Sequence, residues 1–290
     1  MTRRPLRTAA LALGSLLLLT GCGGTATNGA TVSSGDQQGP LVIGSDNSTE
    51  SRIVAALYEQ LLTAAGEHVT TALTPFAGPA DSARAVVRGE IGLTPAYETT
   101  LLRAMPRSGP RTDNMTLALS MALPPGVVAL SPARAERGVV LAVTKALAGH
   151  HTLHTLPDLR RAGTRLTLGG PAAGDPDAPT PAALTKAYGV TFTTAPKGTT
   201  PDVLVLRGTD PVIARRDLVV LADPAAVVPP EHVVPLADAA SADRTARDTL
   251  ARLGTRLTTP ELAALTARVE AGQAPAEAAG AWLRSTGLLR

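Results

Sequence analysis

The histidines are the first side chains whose spacing could support chemistry. His150 and His154, in the stretch HHTLH, are four residues apart, which is the spacing of two metal ligands on one face of a helix. Pro157 follows closely and no third ligand completes the set, so a solvated loop after a helix is favoured. His68 and His232 stand alone in the sequence and are interpreted in the same way. No metal site is therefore predicted.

Carboxylates and nucleophiles give no better case for catalysis. Asp175 and Asp177 are close in sequence, but their stretch, GDPDAPT, has the composition of a loop. The sequence has no Walker loop, nucleophile-elbow serine or cysteine pair, and GGP at residues 169–171 lacks the spacing of a dinucleotide fingerprint. The chain is therefore predicted to be neither an enzyme nor a cofactor-binding protein, which leaves recognition.

Residues 45–50, SDNSTE, could recognise a ligand, because they join a predicted strand, LVIG, to a predicted helix. A helix N-terminus offers unpaired N–H groups and a partial positive charge. Hydroxyl and amide groups from Ser45, Asn47, Ser48 and Thr49 accompany it, and such a loop suits a carboxylate ligand. Alternatively, Ser48 or Thr49 caps its own helix, and the local sequence favours this interpretation.

The elements that must position these residues alternate between strands and helices. Apolar residues from Ile53 to Leu62 recur at helical spacing, and Thr180 and Thr259 precede prolines as N-caps of two later helices. Three helices close the chain and are predicted to pack as a cover on the part formed first. The alternation predicts an α/β fold with largely parallel sheets.

The N-terminal residues predict export and a lipid anchor. Residues 1–21 have a basic start, a short apolar run and small residues at the end, the layout of a secretory signal. The run ends in LTGC, which resembles the lipobox of bacterial lipoproteins and implies cleavage before Cys22, the only cysteine, and acylation of its thiol. An ordinary signal with a coincidental cysteine is the alternative. Residues 22–40 are rich in Gly, Ser and Thr and are predicted to be a flexible tether from the extracytoplasmic face of the membrane.

The charge of the mature chain argues against a nucleic-acid partner. The formal net charge of +3 comes from the three arginines of residues 1–21, and without them 24 basic residues balance 24 acidic ones. The remaining chain is long enough for one large domain or for two lobes.

Several stretches, taken in order, resemble the substrate-binding proteins of ABC importers for quaternary ammonium compounds such as glycine betaine, choline and carnitine. LVIGSDNSTESRIVAALYEQLL is similar to the family's I-G-S-K-N-F-T-E pattern, and ARAVVRGEIGLTPAYETTLL is similar to its A-L-x-x-G-E-I-D-x-Y-P-E-Y-T-G-T pattern. Similar stretches continue in the same order up to LTTPELAALTARVEAGQAPAEAAGAWLRSTGLL, so the resemblance extends over residues 41–289.

This resemblance implies an α/β, two-lobed, periplasmic-binding-protein-like fold of type II with a cleft between the lobes. Residues 41–133 and 226–290 would form lobe 1, and residues 134–225 would form lobe 2. Lobe closure would capture a small solute, and the closed protein would dock on an ABC permease and ATPase complex, without cofactor or metal. The residues carried over to the cleft are Ser45, Asp46, Asn47, Thr49, Tyr97, Val139, Thr209 and Asp210.

The predicted cleft is short of aromatic rings. A trimethylammonium group cannot donate hydrogen bonds and is held by ring faces, each worth about 0.5–2 kcal/mol. Tyr97 keeps the family's ring, whereas Ser48, Thr94, Ala129 and Val139 stand where the family commonly has aromatic residues. The three other rings of the second half of the chain are predicted to pack in the core, namely Tyr188, Phe192 and Trp282.

Two functions are consistent with this pattern. The first is a cleft binder of an ABC importer whose ligand is less cationic or differently shaped, with Asp46 and Asp210 pairing to an amine in place of ring faces. The second is a lipoprotein that keeps the fold with a degenerate pocket and serves a non-transport partner.

Overall fold

The structure is a computed structural model that describes residues 39–105, 114–196 and 198–289. The predicted signal, Cys22 and all but two residues of the predicted tether lie outside the described residues. Within the described ranges, no helix combines the length and the apolar character needed to cross a membrane.

Strands and helices alternate along the described chain, as the sequence pattern predicts. The strands are β1 (Leu41–Ile43), β2 (Val69–Thr71), β3 (Leu93–Tyr97), β4 (Val127–Ala129), β5 (Val139–Thr144), β6 (Arg165–Gly169), β7 (Thr191–Thr194), β8 (Val203–Arg207), β9 (Leu218–Val220) and β10 (Val233–Asp238). The helices are α1 (Thr49–Ala64), α2 (Pro79–Val87), α3 (Glu98–Ala104), α4 (Met115–Ala122), α5 (Lys145–His151), α6 (Pro181–Tyr188), α7 (Val212–Arg215), α8 (Arg244–Arg256), α9 (Thr259–Glu270) and α10 (Pro275–Ser285), with a 3₁₀ helix at Leu156–Arg161.

The first sheet has the strand order β2-β1-β3-β10-β4. β1 pairs in parallel with β2 and β3, and β10 runs antiparallel to both β3 and β4. Helix α1 packs over this sheet, and the three closing helices pack against α1. Leu57, Leu250, Leu262 and Trp282 share one buried cluster there, so the predicted cover is confirmed. Each such side chain contributes about 1.5–3 kcal/mol by its removal from water.

The second sheet has the strand order β7-β6-β8-β5-β9. β6 pairs in parallel with β7 and β8, whereas β5 runs antiparallel to β8 and β9. Tyr188 and Phe192 are buried in its core, as predicted. Thr180 caps α6, because its hydroxyl accepts a hydrogen bond from the Ala183 N–H at 3.1 Å.

Two expectations about the elements are wrong. The sheets are mixed rather than largely parallel, since β10 and β5 each run against both of their neighbours. Each of these strands is the first one after the chain crosses from one sheet to the other. An alternating βαβ pattern predicts parallel neighbours and does not predict this antiparallel direction. The N-cap of α9 is Thr258 rather than Thr259. The hydroxyl of Thr259 instead accepts a hydrogen bond from the Glu136 N–H at 2.9 Å.

The two connections between the sheets pair with each other. The first runs from β4 to β5 and the second from β9 to β10, and Glu136 and His232 form an antiparallel bridge between them. The Arg137 N–H donates to the Glu231 carbonyl at 2.9 Å, and the Val233 N–H donates to the Ala135 carbonyl at 3.0 Å. Residues 135–137 and 231–233 are called the crossover ribbon below. All strands of the first sheet lie within residues 41–133 or 226–290, and the exact lobe boundaries stay a prediction.

Candidate ligand-binding site

Tyr97 lies at the junction of the two sheets and their crossover ribbon. It is the last residue of β3, it stands at the N-cap position of α3, and its side chain is fully buried. Its hydroxyl has no hydrogen-bond partner. Burial raises the pKa of this hydroxyl, and the Arg137 charge and the nearby Ser48 hydroxyl only partly oppose the shift. Tyr97 is therefore a neutral ring with an unpaired polar tip, placed inside the protein rather than on its surface.

The guanidinium of Arg137 covers the ring of Tyr97. Its Cζ atom lies 4.4 Å from the ring centroid, within the range of a cation–π contact. Arg137 extends from the crossover ribbon, and its Nε is buried without a hydrogen-bond partner, 3.8 Å from Glu50 Oε1. Burial lowers the pKa of Arg137, but Tyr97, Glu50, Glu231 and Asp46 together outweigh it and raise the pKa above its ordinary value. The group therefore stays charged in place.

Asp46 contributes a third unpaired atom to the buried cluster around Tyr97 and Arg137. Its side chain is buried, and Oδ1 accepts a hydrogen bond from the Ser48 N–H at 2.7 Å. The Oδ2 atom has no partner. Ser48 caps α1 by accepting from the Ser51 N–H at 3.2 Å, which confirms the simpler interpretation of this loop. The stretch thus caps its helix and still leaves one buried carboxylate oxygen available.

Thr209 connects this pocket to the second sheet. It follows β8, has no exposed surface, and its hydroxyl donates to Glu50 Oε1 at 2.9 Å. Glu50 lies in the first turn of α1, so the hydrogen bond joins elements of both sheets. Glu50 and Asp46 together place two carboxylates beside the single guanidinium of Arg137.

A bidentate ion pair also joins the two sheets. Arg103 of α3 donates to both carboxylate oxygens of Asp177, at 2.6 and 2.8 Å. The Asp177 side chain is only 3% exposed, whereas that of Arg103 is 40% exposed. Asp177 belongs to the loop between β6 and α6, which the sequence predicted as a loop without catalytic function.

Glu231 of the crossover ribbon is the centre of a second cross-sheet network. Its Oε1 accepts from the backbone N–H and the hydroxyl of Thr100, at 3.0 and 2.6 Å. Its Oε2 accepts from Arg207 Nη1 at 3.0 Å, and Arg207 also pairs with Asp175. Because Glu231 is almost fully buried, its charge depends on these donors.

His232 lies beside Glu231 in the ribbon and is held by two carboxylates. Its Nδ1 lies 2.9 Å from Glu98 Oε2, and its Nε2 lies 3.2 Å from Glu136 Oε1. The hydrogen bonds to Glu136 and Glu98 raise the pKa of His232 to about 10. The interpretation of His232 as an isolated, solvated histidine is therefore wrong. Among the residues that the structure describes, no group of three or more His, Cys, Asp or Glu side chains could hold a metal ion.

The other predicted site residues lie at varying distances from this pocket. Asn47 is exposed, Thr49 is the first residue of α1, and Ser45 borders a groove with Arg52 of α1. Val139 is buried in the core of the second sheet.

Asp210 occupies a different position from Asp46. Its Oδ1 accepts from the Val212 N–H at 2.8 Å, and it borders a groove of about 500 Å³ with Arg207 and Asp175. Asp46, Tyr97 and Thr209 are therefore the predicted residues that belong to one buried cluster. Arg137 and Glu50 also belong to it and were not predicted.

Two mixed α/β sheets, joined by two connections that pair as the crossover ribbon, define a two-lobed periplasmic-binding-protein fold of type II. The family model for the substrate-binding domain of ABC-type glycine betaine transport systems, OpuAC, matches residues 39–285. The chain belongs to this family, whose members are the solute-binding components of ABC transporters. Among curated protein sequences, none matches this chain.

Solved structures share the fold at low sequence identity. A glycine betaine/carnitine/choline ABC transporter protein is 20% identical with a TM-score of 0.73, over 86% of this chain and 98% of the other. Apo YehZ from Escherichia coli is 19% identical with a TM-score of 0.70, over 86% of this chain and 99% of YehZ. Lactococcal OpuAC in its closed form with glycine betaine is 16% identical with a TM-score of 0.52, over 86% and 96% of the two chains.

Proposed function

We propose that this protein is a lipid-anchored, extracytoplasmic solute-binding protein of an ABC importer, and that it captures a small amine-bearing osmolyte between its two lobes. Membership of the OpuAC family supports the transport function. The proposal excludes an enzymatic function. The LTGC stretch supports the anchor, with the lipid on Cys22 and residues 22–40 as the tether that lets the folded part reach its permease.

The observation that carries this proposal is the set of unpaired buried polar atoms around Tyr97. They are an acceptor at Asp46 Oδ2, a hydroxyl at Tyr97 and a donor at Arg137 Nε. Buried polar groups in proteins are nearly always hydrogen-bonded, and each unsatisfied one costs about 1–3 kcal/mol. A solute that carries both donors and acceptors offsets this cost when it enters the pocket, so the pocket is suited to a polar ligand.

The charges around the pocket favour an amine. The carboxylates of Asp46 and Glu50 face the single guanidinium of Arg137, and Glu231 is engaged by Arg207. One protonated amine would neutralise the excess negative charge and donate an N–H to Asp46 Oδ2. Ser45, Asn47, Thr49, Val139 and Asp210 remain proposed cleft residues by their resemblance to the family.

Closure of the lobes is the proposed capture step. The ion pair between Arg103 and Asp177 and the hydrogen bond between Thr209 and Glu50 support it, because each joins an element of the first sheet to one of the second. A closed form held by such contacts offers a permease one fixed surface, formed by both lobes.

Isothermal titration against glycine betaine, choline, carnitine, ectoine and polyamines tests the proposal. We expect binding of at least one amine with N–H donors, and at 100 times its dissociation constant that ligand should add about 2.7 kcal/mol of apparent stability. Asp46→Asn keeps the Oδ1 atom that accepts the Ser48 N–H and removes the charge, so it should weaken amine binding about tenfold or more. Asp210→Asn is the matched comparison and should weaken amine binding less, because Asp210 borders a different groove with Arg207 and Asp175, whereas Asp46 Oδ2 is buried and unpaired. Absence of binding across the panel contradicts the proposal.

A second function, a partner-binding lipoprotein with a degenerate pocket, is favoured by one observation. Arg137 covers the ring of Tyr97, and the cross-sheet pairs form between the protein's own side chains. This function predicts no solute binding, together with no transport when the protein is reconstituted with an ABC permease and ATPase.

A further inference from the structure

The ring of Tyr97 already carries a cation supplied by the chain itself. The Arg137 guanidinium lies over the ring at 4.4 Å from its centroid, and energetically significant cation–π contacts fall within about 6 Å. Tyr97 is the single family aromatic that this pocket keeps. The guanidinium therefore occupies the ring face that a cationic ligand would have to use.

Several groups hold Arg137 in this position. Its side chain is only 15% exposed, and Glu50 lies 3.8 Å from its Nε. Arg137 starts from the crossover ribbon, where its backbone N–H is bonded to Glu231. A guanidinium stays protonated under all ordinary conditions, and a tethered group competes at a high effective concentration. A free cation of similar size must displace all of these contacts to reach the ring.

We propose that Arg137 is an intramolecular competitor for the face of Tyr97 and determines the ligand specificity of the pocket. It excludes trimethylammonium cations and leaves the Oδ2 of Asp46 to select ammonium groups that carry N–H donors. This inference deepens the proposed function and rests on it.

The two classes of cation differ in what they need from the pocket. A trimethylammonium group has no N–H, so it cannot donate to Asp46 Oδ2 and depends on ring faces. A primary or secondary ammonium donates directly to that oxygen, a charge-assisted hydrogen bond that requires no ring. With Arg137 on the ring, only the second class finds a partner. Without Arg137, the ring and the carboxylates of Asp46 and Glu50 would together surround a monocation.

Tetramethylammonium and methylammonium are the matched probes, since they carry the same charge and differ in N–H donors. Wild-type protein should prefer methylammonium in a calorimetric or NMR titration. Arg137→Ala should bind tetramethylammonium at least about tenfold more tightly than wild type, which corresponds to about 1.4 kcal/mol. The double variant Arg137→Ala with Tyr97→Leu should lose that gain. This loss would show that the gain comes from the ring rather than from the negative charge of the nearby carboxylates.

Folding controls separate a change in ligand binding from a loss of structure. Circular dichroism and Trp282 fluorescence establish that each variant is folded, and Arg137→Gln replaces Arg137→Ala if the alanine variant does not fold. A folded Arg137 variant with no gain for tetramethylammonium overturns the inference. A gain that persists in the Tyr97→Leu background also overturns it. Failure of the proposed function is a different result, namely that wild-type protein binds no member of the solute panel although the Arg137 variant gains tetramethylammonium.

Discussion

The hydroxyl of Thr209 makes one part-buried hydrogen bond between elements of the two sheets. It donates to Glu50 Oε1 at 2.9 Å, and Thr209 itself has no exposed surface. Thr209→Val removes the hydroxyl and keeps the shape of the side chain. Thr209→Ser keeps the hydroxyl and removes a methyl group. The pair of substitutions therefore separates the hydrogen bond from the packing.

The expected magnitude follows from the charge and surroundings of Glu50. A hydrogen bond to a charged group contributes about 1.5–3 kcal/mol. Glu50 keeps Arg137 at 3.8 Å when Thr209 is replaced, so we expect the lower part of this range, about 1.5–2 kcal/mol. Loss of one buried methyl in Thr209→Ser costs about 0.8 kcal/mol. In a domain of this size about 1 kcal/mol lowers the Tm by roughly 2–4 °C.

Differential scanning calorimetry measures the effect, and small-angle scattering of the same samples shows whether the lobes separate. Thr209→Val should lower the Tm by about 3–8 °C, and by more than Thr209→Ser does. If Thr209→Val is at least as stable as Thr209→Ser, the prediction is refuted, because the hydroxyl would then contribute no more stability than the methyl group does.

Three further predictions concern the ion pair, the ribbon and the second sheet. Arg103→Ala should have a free energy of unfolding in urea about 1–2 kcal/mol lower than that of Arg103→Lys. The burial of Asp177 increases this difference, and the 40% exposure of Arg103 reduces it. Because the pKa of His232 is raised to about 10, its stabilising charge is fully present below about pH 6.5 and lost as pH rises towards 10. Wild-type stability should therefore fall across that window more steeply than that of His232→Gln, and parallel curves would contradict this. Gly170→Ala should destabilise by about 3 kcal/mol in urea unfolding, because its Cβ would lie 2.4 Å from the Val205 carbonyl oxygen and the backbone φ is 141°. Unchanged stability of this variant would show that the local backbone shifts at little cost.

Local signals predicted the elements of the fold better than their pairing. Thr180 with its following proline marks the start of α6, and the helical spacing of apolar residues marks α1. The direction of β5 and β10 has no local signal, because it depends on which neighbour a strand meets after the chain changes sheets. Adjacent Thr258 and Thr259 could each cap α9, and only the distant Glu136 N–H decides which hydroxyl is free to do so.

The sequence predicted only those candidate site residues that the family resemblance supplies. Asp46, Tyr97 and Thr209 lie in one buried cluster, and their part in ligand binding stays a prediction. Arg137 was not found, because a single arginine before a strand has no pattern that distinguishes it from a solvated one. His232 was missed for a related reason, since its partner Glu98 is 134 positions away in the sequence.

In the proposed closure the lobes would rotate about the segments that connect them, and Arg137 belongs to one of these segments. Residues near a rotation axis have a short lever arm, so an opening motion displaces them far less than it displaces Arg103 or Asp177 on the flanking lobes. Opening of the cleft would therefore separate the lobe surfaces and leave Arg137 on the ring of Tyr97. Access to that ring would then depend on a change of side-chain rotamer at Arg137 rather than on the movement of the lobes.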